Sequence, residues 1–262
     1  MTEQDTGKYR QNTKDQYFTR EHIAKKCVGY IYGMYNNLDT YEWIEPSAGN
    51  GVFLRALPES VSKIGIDIDP KGDNILQGDY LKWKPFTDVK KRIVFGNPPF
   101  GRQSSLAKAF IKHSAKHADI IAFILPKSFV KPSMFNAFPL QFLCMFNIDV
   151  DNNAFEVNGQ LYNVPCVFQI WEKKESNRIV EAPTKEIGFN YVKYGTQYDI
   201  VCKRVGGLAG KCFGWRPTAA ADFHKEYHYF IKLDEKYLQY TGDIINKINL
   251  NIFQSNTVVP QS

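Results

Sequence analysis

Tyr41-Glu42-Trp43-Ile44-Glu45-Pro46-Ser47-Ala48-Gly49-Asn50-Gly51 reads as a short buried strand ending in an acid and a glycine turn. The helical run Val52–Leu57 follows, and Pro58 ends it. Glycines at a strand-to-helix turn let the backbone approach a ligand that a Cβ would keep away. Outward from this point, apolar runs rich in Ile, Val and Phe recur at Lys63–Ile68, Asn74–Leu76, Arg92–Phe95 and Ile120–Leu125, bounded by Gly or Pro. Such runs are the signature of strands buried on both faces of a parallel sheet. Ser104–His117 reads as a helix with Ser104 at the N-cap and Leu106, Phe110 and Ile111 on an apolar face. Strands alternating with helices imply crossover units and a mostly parallel, doubly wound sheet. Phe142–Val150 and Pro165–Trp171 are two later strands with no helix between them, the pattern of a terminal antiparallel hairpin.

The chain has 262 residues, enough for one sizeable core and a small second lobe. Hydrophobic residues at 44% and charged residues at 23% are the balance of a globular protein rather than a disordered one. The longest apolar run, Ile120–Leu125, is a strand's length and far short of the roughly 18 residues a membrane-spanning helix needs. The polar, charged residues through Arg20 predict no export, and hence a cytoplasmic protein with no membrane partner. Basic residues exceed acidic ones by 33 to 27, a mild excess that permits a polyanionic partner without requiring one. Cys27, Cys144, Cys166, Cys202 and Cys212 form no Cys-x-x-Cys pair, which fits a reducing compartment and small core fillers, and argues against a zinc site.

Three acids follow successive strands: Glu45, then Asp67 at the end of Ile64-Gly65-Ile66-Asp67, then Asp79 in Gln77-Gly78-Asp79. An acid at a second strand's carboxyl end is placed to bond both hydroxyls of a ribose. The fourth strand runs directly into Gly96-Asn97-Pro98-Pro99-Phe100-Gly101. Two prolines fix φ and remove two N–H donors, and Asn97, preceding a proline, is pushed to an extended conformation. The product is a stiff segment with outward carbonyls, in which the Asn97 carboxamide oxygen and a backbone carbonyl form a pair of acceptors for one –NH₂ group. Phe100 adds a flat ring on which an aromatic base could stack.

Asn97-Pro98-Pro99-Phe100 after the fourth strand, with Glu45–Gly51 before it, resembles the S-adenosylmethionine-dependent amino-methyltransferases, in particular the adenine-N6 DNA methyltransferases. Tyr17-Phe18-Thr19 before the helical Ile23–Tyr35 is similar to that group's N-terminal cofactor motif, with Arg20 where a proline usually stands. Leu125-Pro126-Lys127-Ser128-Phe129 is similar to its fifth-strand motif, so the resemblance covers about residues 15–171. It implies a seven-stranded Rossmann-like sheet, S-adenosylmethionine as cofactor, no metal, and double-stranded DNA as partner. It further implies that Asn97 Oδ1 and the Pro98 carbonyl accept the adenine amine while Phe100 stacks on the base. Asp67 would hold the ribose, Asp79 the cofactor's adenine amine, Glu45 and Gly49 the methionine end, and Thr19 and Asn97 would also line the cofactor pocket. The same Asn-Pro-Pro chemistry serves RNA adenine or guanine and protein glutamine, and a non-catalytic nucleic-acid-binding module is a further alternative.

Charge rises at Glu172–Arg178, which predicts a methyltransferase domain over 1–175 and a small α+β lobe, substrate-facing, over 176–262. That lobe carries a tract from Tyr191 to Arg216 in which Lys193, Lys203, Arg204 and Lys211 interleave with tyrosines, a composition suited to nucleic acid or to the core of a small sheet. An amphipathic helix is expected over Glu235–Asn249. Gly206–Cys212 lacks the spacing and the Ser or Thr of a phosphate loop. Lys108, Lys112 and Lys116 read as a solvated helix face, and His113 and His117, four residues apart without a third ligand, as surface residues. The polar stretch Asp151–Asn163 suits either a hairpin loop or a flap over the catalytic rim.

Overall fold

A computed structural model describes residues 17–86, 91–157, 159–180, 186–204, 208–215 and 223–250. In chain order the elements of the first part are β1 (Phe18–Thr19), α1 (Glu21–Met34), β2 (Glu42–Glu45), α2 (Val52–Arg55), β3 (Lys63–Asp67), β4 (Ile75–Gln77) and β5 (Arg92–Gly96). They continue with α3 (Ser105–Ser114), β6 (Ile120–Pro126), α4 (Pro132–Phe135), β7 (Phe142–Asp149), β8 (Phe155–Val157), β9 (Gln160–Tyr162) and β10 (Cys166–Lys173). Then come β11 (Phe189–Val192), β12 (Ile200–Lys203), β13 (Cys212–Gly214), β14 (His228–Leu233) and α5 (Thr241–Asn249). The chain divides into two compact units at Ile179/Val180.

The first unit is built on a seven-stranded sheet in the order β4-β3-β2-β5-β6-β10-β7. The pairs from β4 to β6 are parallel, while β10 is antiparallel to both β6 and β7. This is a mostly parallel, doubly wound Rossmann-like sheet, and its reversal at β10 is the antiparallel hairpin expected from two strands without a helix between them. Its centre shows why those strands read as continuous apolar runs. Ile93, Phe95, Ile120, Ala122 and Ile124 join one hydrophobic cluster, whereas Val94, Ile121, Phe123 and Leu125 join the other. Successive side chains point to opposite faces, and here both faces are dry. Fully burying a side chain of this size contributes roughly 1.5–3 kcal/mol.

Helix α1 covers one face with the stripe Ile23, Ala24, Cys27, Val28 and Ile31. On the other face Trp171 stacks on Phe138 with ring centroids 3.9 Å apart. The Arg178 guanidinium closes that end of the unit by donating to four carbonyls, those of Phe135, Phe138, Pro139 and Phe142. Within 151–163, β8 and β9 pair antiparallel and add to β1 in a separate three-stranded sheet in the order β1-β8-β9.

Two expectations are corrected. His113 is buried and His117 half-buried, because the end of α3 and the turn after it bring both against Tyr80 and Trp83. His113 Nε2 lies 2.8 Å from the Trp83 carbonyl and His117 Nε2 lies 3.1 Å from the Tyr80 hydroxyl. Burial lowers the pKa of His113, and burial together with His113 lowers that of His117 to about 4. Second, Cys202 and Cys212 form a disulfide. They occupy directly opposed positions of antiparallel β12 and β13 with Cα atoms 4.1 Å apart, a register that single-chain spacing does not reveal. Cys27 and Cys166 are buried thiols and Cys144 is half-buried.

The second unit is a four-stranded antiparallel sheet in the order β11-β14-β12-β13. The stretch Glu235–Asn249 is a 3-10 turn over Glu235–Tyr240 followed by α5, whose Ile244, Ile245 and Ile248 pack on Ile200, Cys212 and Leu233. Arg216 and Gly206–Gly207 lie outside the described residues. Among the described residues no helix is long and apolar enough to cross a membrane.

Candidate functional site

β4, β3, β2 and β5 are adjacent and parallel, so their carboxyl ends share one edge. Along that edge lie Asp79 after β4, Asp67 on β3, Glu45 on β2 and Asn97 after β5. At about 4.8 Å between neighbouring strands the row spans roughly 14 Å. A cavity of about 440 Å³ runs beneath it, lined by all four of these residues together with Thr19 and Gly49. That volume is in the range of small-molecule sites, and the place is where open α/β sheets bind ligands. A second cavity of about 650 Å³ adjoins it, sharing Phe18, Thr19, Asn50, Val52 and Lys71, but none of the four strand-end residues lines it.

Each acid is held differently. Asp67 accepts from the Gly49 amide through Oδ2 at 2.7 Å and from the Asp69 amide through Oδ1 at 2.8 Å. The acid therefore anchors the glycine turn as well as facing the cavity. Gly49 sits at φ +52°, and a Cβ there would lie 3.3 Å from the Phe18 ring, so the turn, β3 and the segment before α1 are packed as one piece. Asp79 accepts the Leu81 amide at 3.0 Å. Glu45 is buried and accepts the Leu54 amide at 3.2 Å. Burial, with Asp67 adding to it, holds the Glu45 carboxyl well above the usual carboxylate range.

Asn97 is the exception. Its Nδ2 donates to the Tyr17 carbonyl at 3.2 Å, which orients the carboxamide. Its Oδ1 is then buried with no hydrogen-bond partner. Buried acceptors in folded proteins are almost always paired, so this oxygen is free to accept from a further donor. A flipped amide would set oxygen against oxygen at Tyr17, so that carbonyl decides which atom faces inward. The Asn97 backbone carbonyl accepts from Ser47 Oγ at 2.9 Å, so this carbonyl does have a donor, against the expectation for the proline segment. Pro98 and Phe100 are buried and do not line the cavity; Phe100 packs in the cluster that α1 covers. Tyr17, Ile68, Leu106 and Phe110 are apolar flanks of the cavity. Of these, only Tyr17 stood in a motif, and its use lies in the backbone, which side-chain pattern does not report.

Tyr17 is steadied by the hairpin: its ring meets Phe155 at 6.1 Å and Tyr162 at 6.0 Å, both edge-on, and Phe18 and Thr19 pair with Glu156 and Phe155. Among the described residues no group of three or more His, Cys, Asp or Glu side chains could hold a metal ion.

No protein-family model matches the chain, and no curated protein is similar to it in sequence. Among solved structures, a candidate RNA methyltransferase from Pyrococcus horikoshii is similar at 16% identity and a TM-score of 0.49, over 63% of this chain and 91% of that one. The type I restriction-modification methyltransferase subunit of Streptococcus thermophilus is similar at 14% identity and 0.47, over 88% of this chain and 53% of that one. The magnesium protoporphyrin IX methyltransferase of Synechocystis PCC 6803, solved with bound S-adenosylmethionine, is similar at 12% identity and 0.41, over 58% and 79%.

Proposed function

We propose that this chain is an S-adenosylmethionine-dependent N-methyltransferase that acts on the N6 amine of adenine in DNA. One observation carries the reading: Asn97, at the mouth of a central strand, lines a cavity bearing a ribose-type acid and holds a carboxamide oxygen that is buried and without a hydrogen-bond partner. The cavity suits the cofactor. Asp67 retains lone pairs for ribose hydroxyls after taking its two amides, Asp79 faces the end where an adenine amine would lie, and Glu45, Gly49 and Thr19 form the methionine end. The cofactor supplies a methyl group already activated on a sulfonium.

The adenine amine is a weak nucleophile because its lone pair is delocalised into the ring. Asn97 Oδ1 would accept one of its hydrogens and the Pro98 carbonyl, once the buried proline segment shifted toward the cavity, the other, drawing the lone pair out of conjugation and toward the methyl. Catalysis is then orientation and acceptor placement, with the released proton passing to water. In duplex DNA the base must leave the stack, at a cost of a few kcal/mol. Phe100 would stack on it once its ring turned out of the cluster; Tyr17 and Phe110 are among the aromatic residues that already line the cavity.

Tritium transfer from labelled cofactor to duplex DNA, RNA of the same sequence and bulk protein tests the proposal. Label in N6-methyladenine of DNA is expected. Label only in RNA or in glutamine would overturn the substrate, and cofactor binding with no transfer would overturn the enzyme.

A further inference from the structure

The sheet of the second unit has one face that changes character along its length. Phe189, Ile200, Cys202, Cys212, Ile231 and Leu233 share that face by the pairing register, and Tyr237 and α5 pack on it. Tyr191, opposite Ile231, and Tyr229, opposite Cys202, continue the same face beyond that cover. They remain 55% and 47% exposed. Their rings lie 5.6 Å apart, and the Arg204 guanidinium lies over Tyr229 at 5.2 Å from its centroid.

Two large rings and a planar cation left in water on a rigid sheet have a cost in exposed apolar area that a solitary surface tyrosine does not. The charge around them is one-sided. Lys193 and Arg204 are exposed, while Asp199, the one acid between Tyr191 and Arg204, is taken up by Lys232 at 2.9 Å and by the Leu233 amide at 2.8 Å. The exposed Glu226, on the turn beside Tyr227, is the acid that remains nearby. Aromatic faces with a stacked arginine inside a cationic surround match unpaired bases on a phosphate backbone, since every base offers a π-face and every link a negative charge.

We infer that Tyr191, Tyr229 and Arg204 form a stacking platform for unpaired bases of the DNA substrate, separate from the cavity that holds the reacting adenine. The inference rests on the reading of DNA as substrate, but it concerns binding rather than transfer. A strand opened to release one adenine exposes the unpaired partner base and loosens its neighbours, which supplies the occupant.

The test is fluorescence anisotropy of the full chain, without cofactor, against a labelled 20-nucleotide single strand, its duplex, and RNA of the same sequence. The single strand is expected to bind more tightly than the duplex. Tyr229→Ala and Tyr191→Ala should each weaken it about tenfold, within the range measured for one stacked base. Tyr229→Trp should keep the wild-type affinity, which a fold defect would not allow. Arg204→Ala should weaken binding and flatten its salt dependence. Wild-type affinity in both alanine variants would overturn the platform, and preferential binding of RNA would overturn its occupant. Tritium transfer to DNA run beside these measurements separates the two readings: normal transfer with no platform effect removes the platform alone, and absent transfer with an intact platform effect removes only the catalytic assignment.

Discussion

Asp67 and Asn97 stand at the ends of strands two places apart on one sheet edge, line the same cavity, and are finished in opposite ways. Both oxygens of Asp67 are satisfied by backbone amides. Asn97 has its donor end satisfied by Tyr17 and its acceptor end left bare. An acid that must hold a ligand still gains from being fixed by its own backbone. An acceptor that must act on a reacting amine gains from having no competitor, and the fold bears the desolvation of that oxygen, about 1–3 kcal/mol, to keep it so. In the proposed reading, binding falls to a group pinned by its own backbone and chemistry to one whose acceptor has no partner.

The largest effect should come from removing the bare acceptor. Asn97→Ala is expected to lower turnover by at least 10²–10³-fold, the scale of losing one preorganised transition-state contact. The cofactor dissociation constant should change by no more than about twofold, read by calorimetry beside single-turnover kinetics. Near-normal turnover would dissolve the contrast with Asp67. Asn97→Asp sharpens it further: a carboxylate would keep an acceptor inside but set oxygen against the Tyr17 carbonyl. A loss of about 10–100-fold at neutral pH is expected, smaller than for alanine. Full activity would show that the Tyr17 contact does not orient the group.

Asp67→Ala should act on the other half of the comparison, weakening cofactor binding by about tenfold or more while also freeing the Gly49 and Asp69 amides. Its thermal midpoint without cofactor should therefore drop as well, whereas that of Asn97→Ala should hold or rise. A gentler effect is expected beneath the Asp79 turn. His113 and His117 resist protonation in the fold, so the unfolded chain binds more protons between its ordinary histidine pKa near 6.5 and the folded value of about 4 for His117. Their contribution to stability is complete above pH 6.5 and declines as pH falls through that window. Urea midpoints measured across it should fall for the wild type and flatten for His117→Gln.

Parallel strands buried on both faces announce themselves. Ile93–Phe95 and Ile120–Leu125 were legible because each is an unbroken apolar run, as two buried faces require. Asn97 was legible because two prolines follow it, and Asp67 because it ends an apolar strand. The support for these residues was not. β1 has two residues and β8 and β9 three each, too short for periodicity, and they pair across the chain. The roles of Ser47 and the Tyr17 carbonyl depend on strand order, which no local pattern states. The histidines misled for a related reason: four-residue spacing sets a common helix face without saying whether that face meets water or Tyr80. In the second unit the disulfide needed the β12–β13 register before the two sulfurs could be placed together.

The pairing of Phe18 with Glu156 closes a loop of 138 residues. Contacts so distant along the chain are the slowest to be made, because the entropy of bringing the ends together precedes any gain. The parallel strands from β2 to β6 can assemble without this closure, but the carboxamide of Asn97 is oriented only once Tyr17 has arrived. A refolding chain should accordingly regain its parallel sheet before the methyl transfer proposed for it, a lag that stopped-flow circular dichroism and quenched-activity time courses can compare directly.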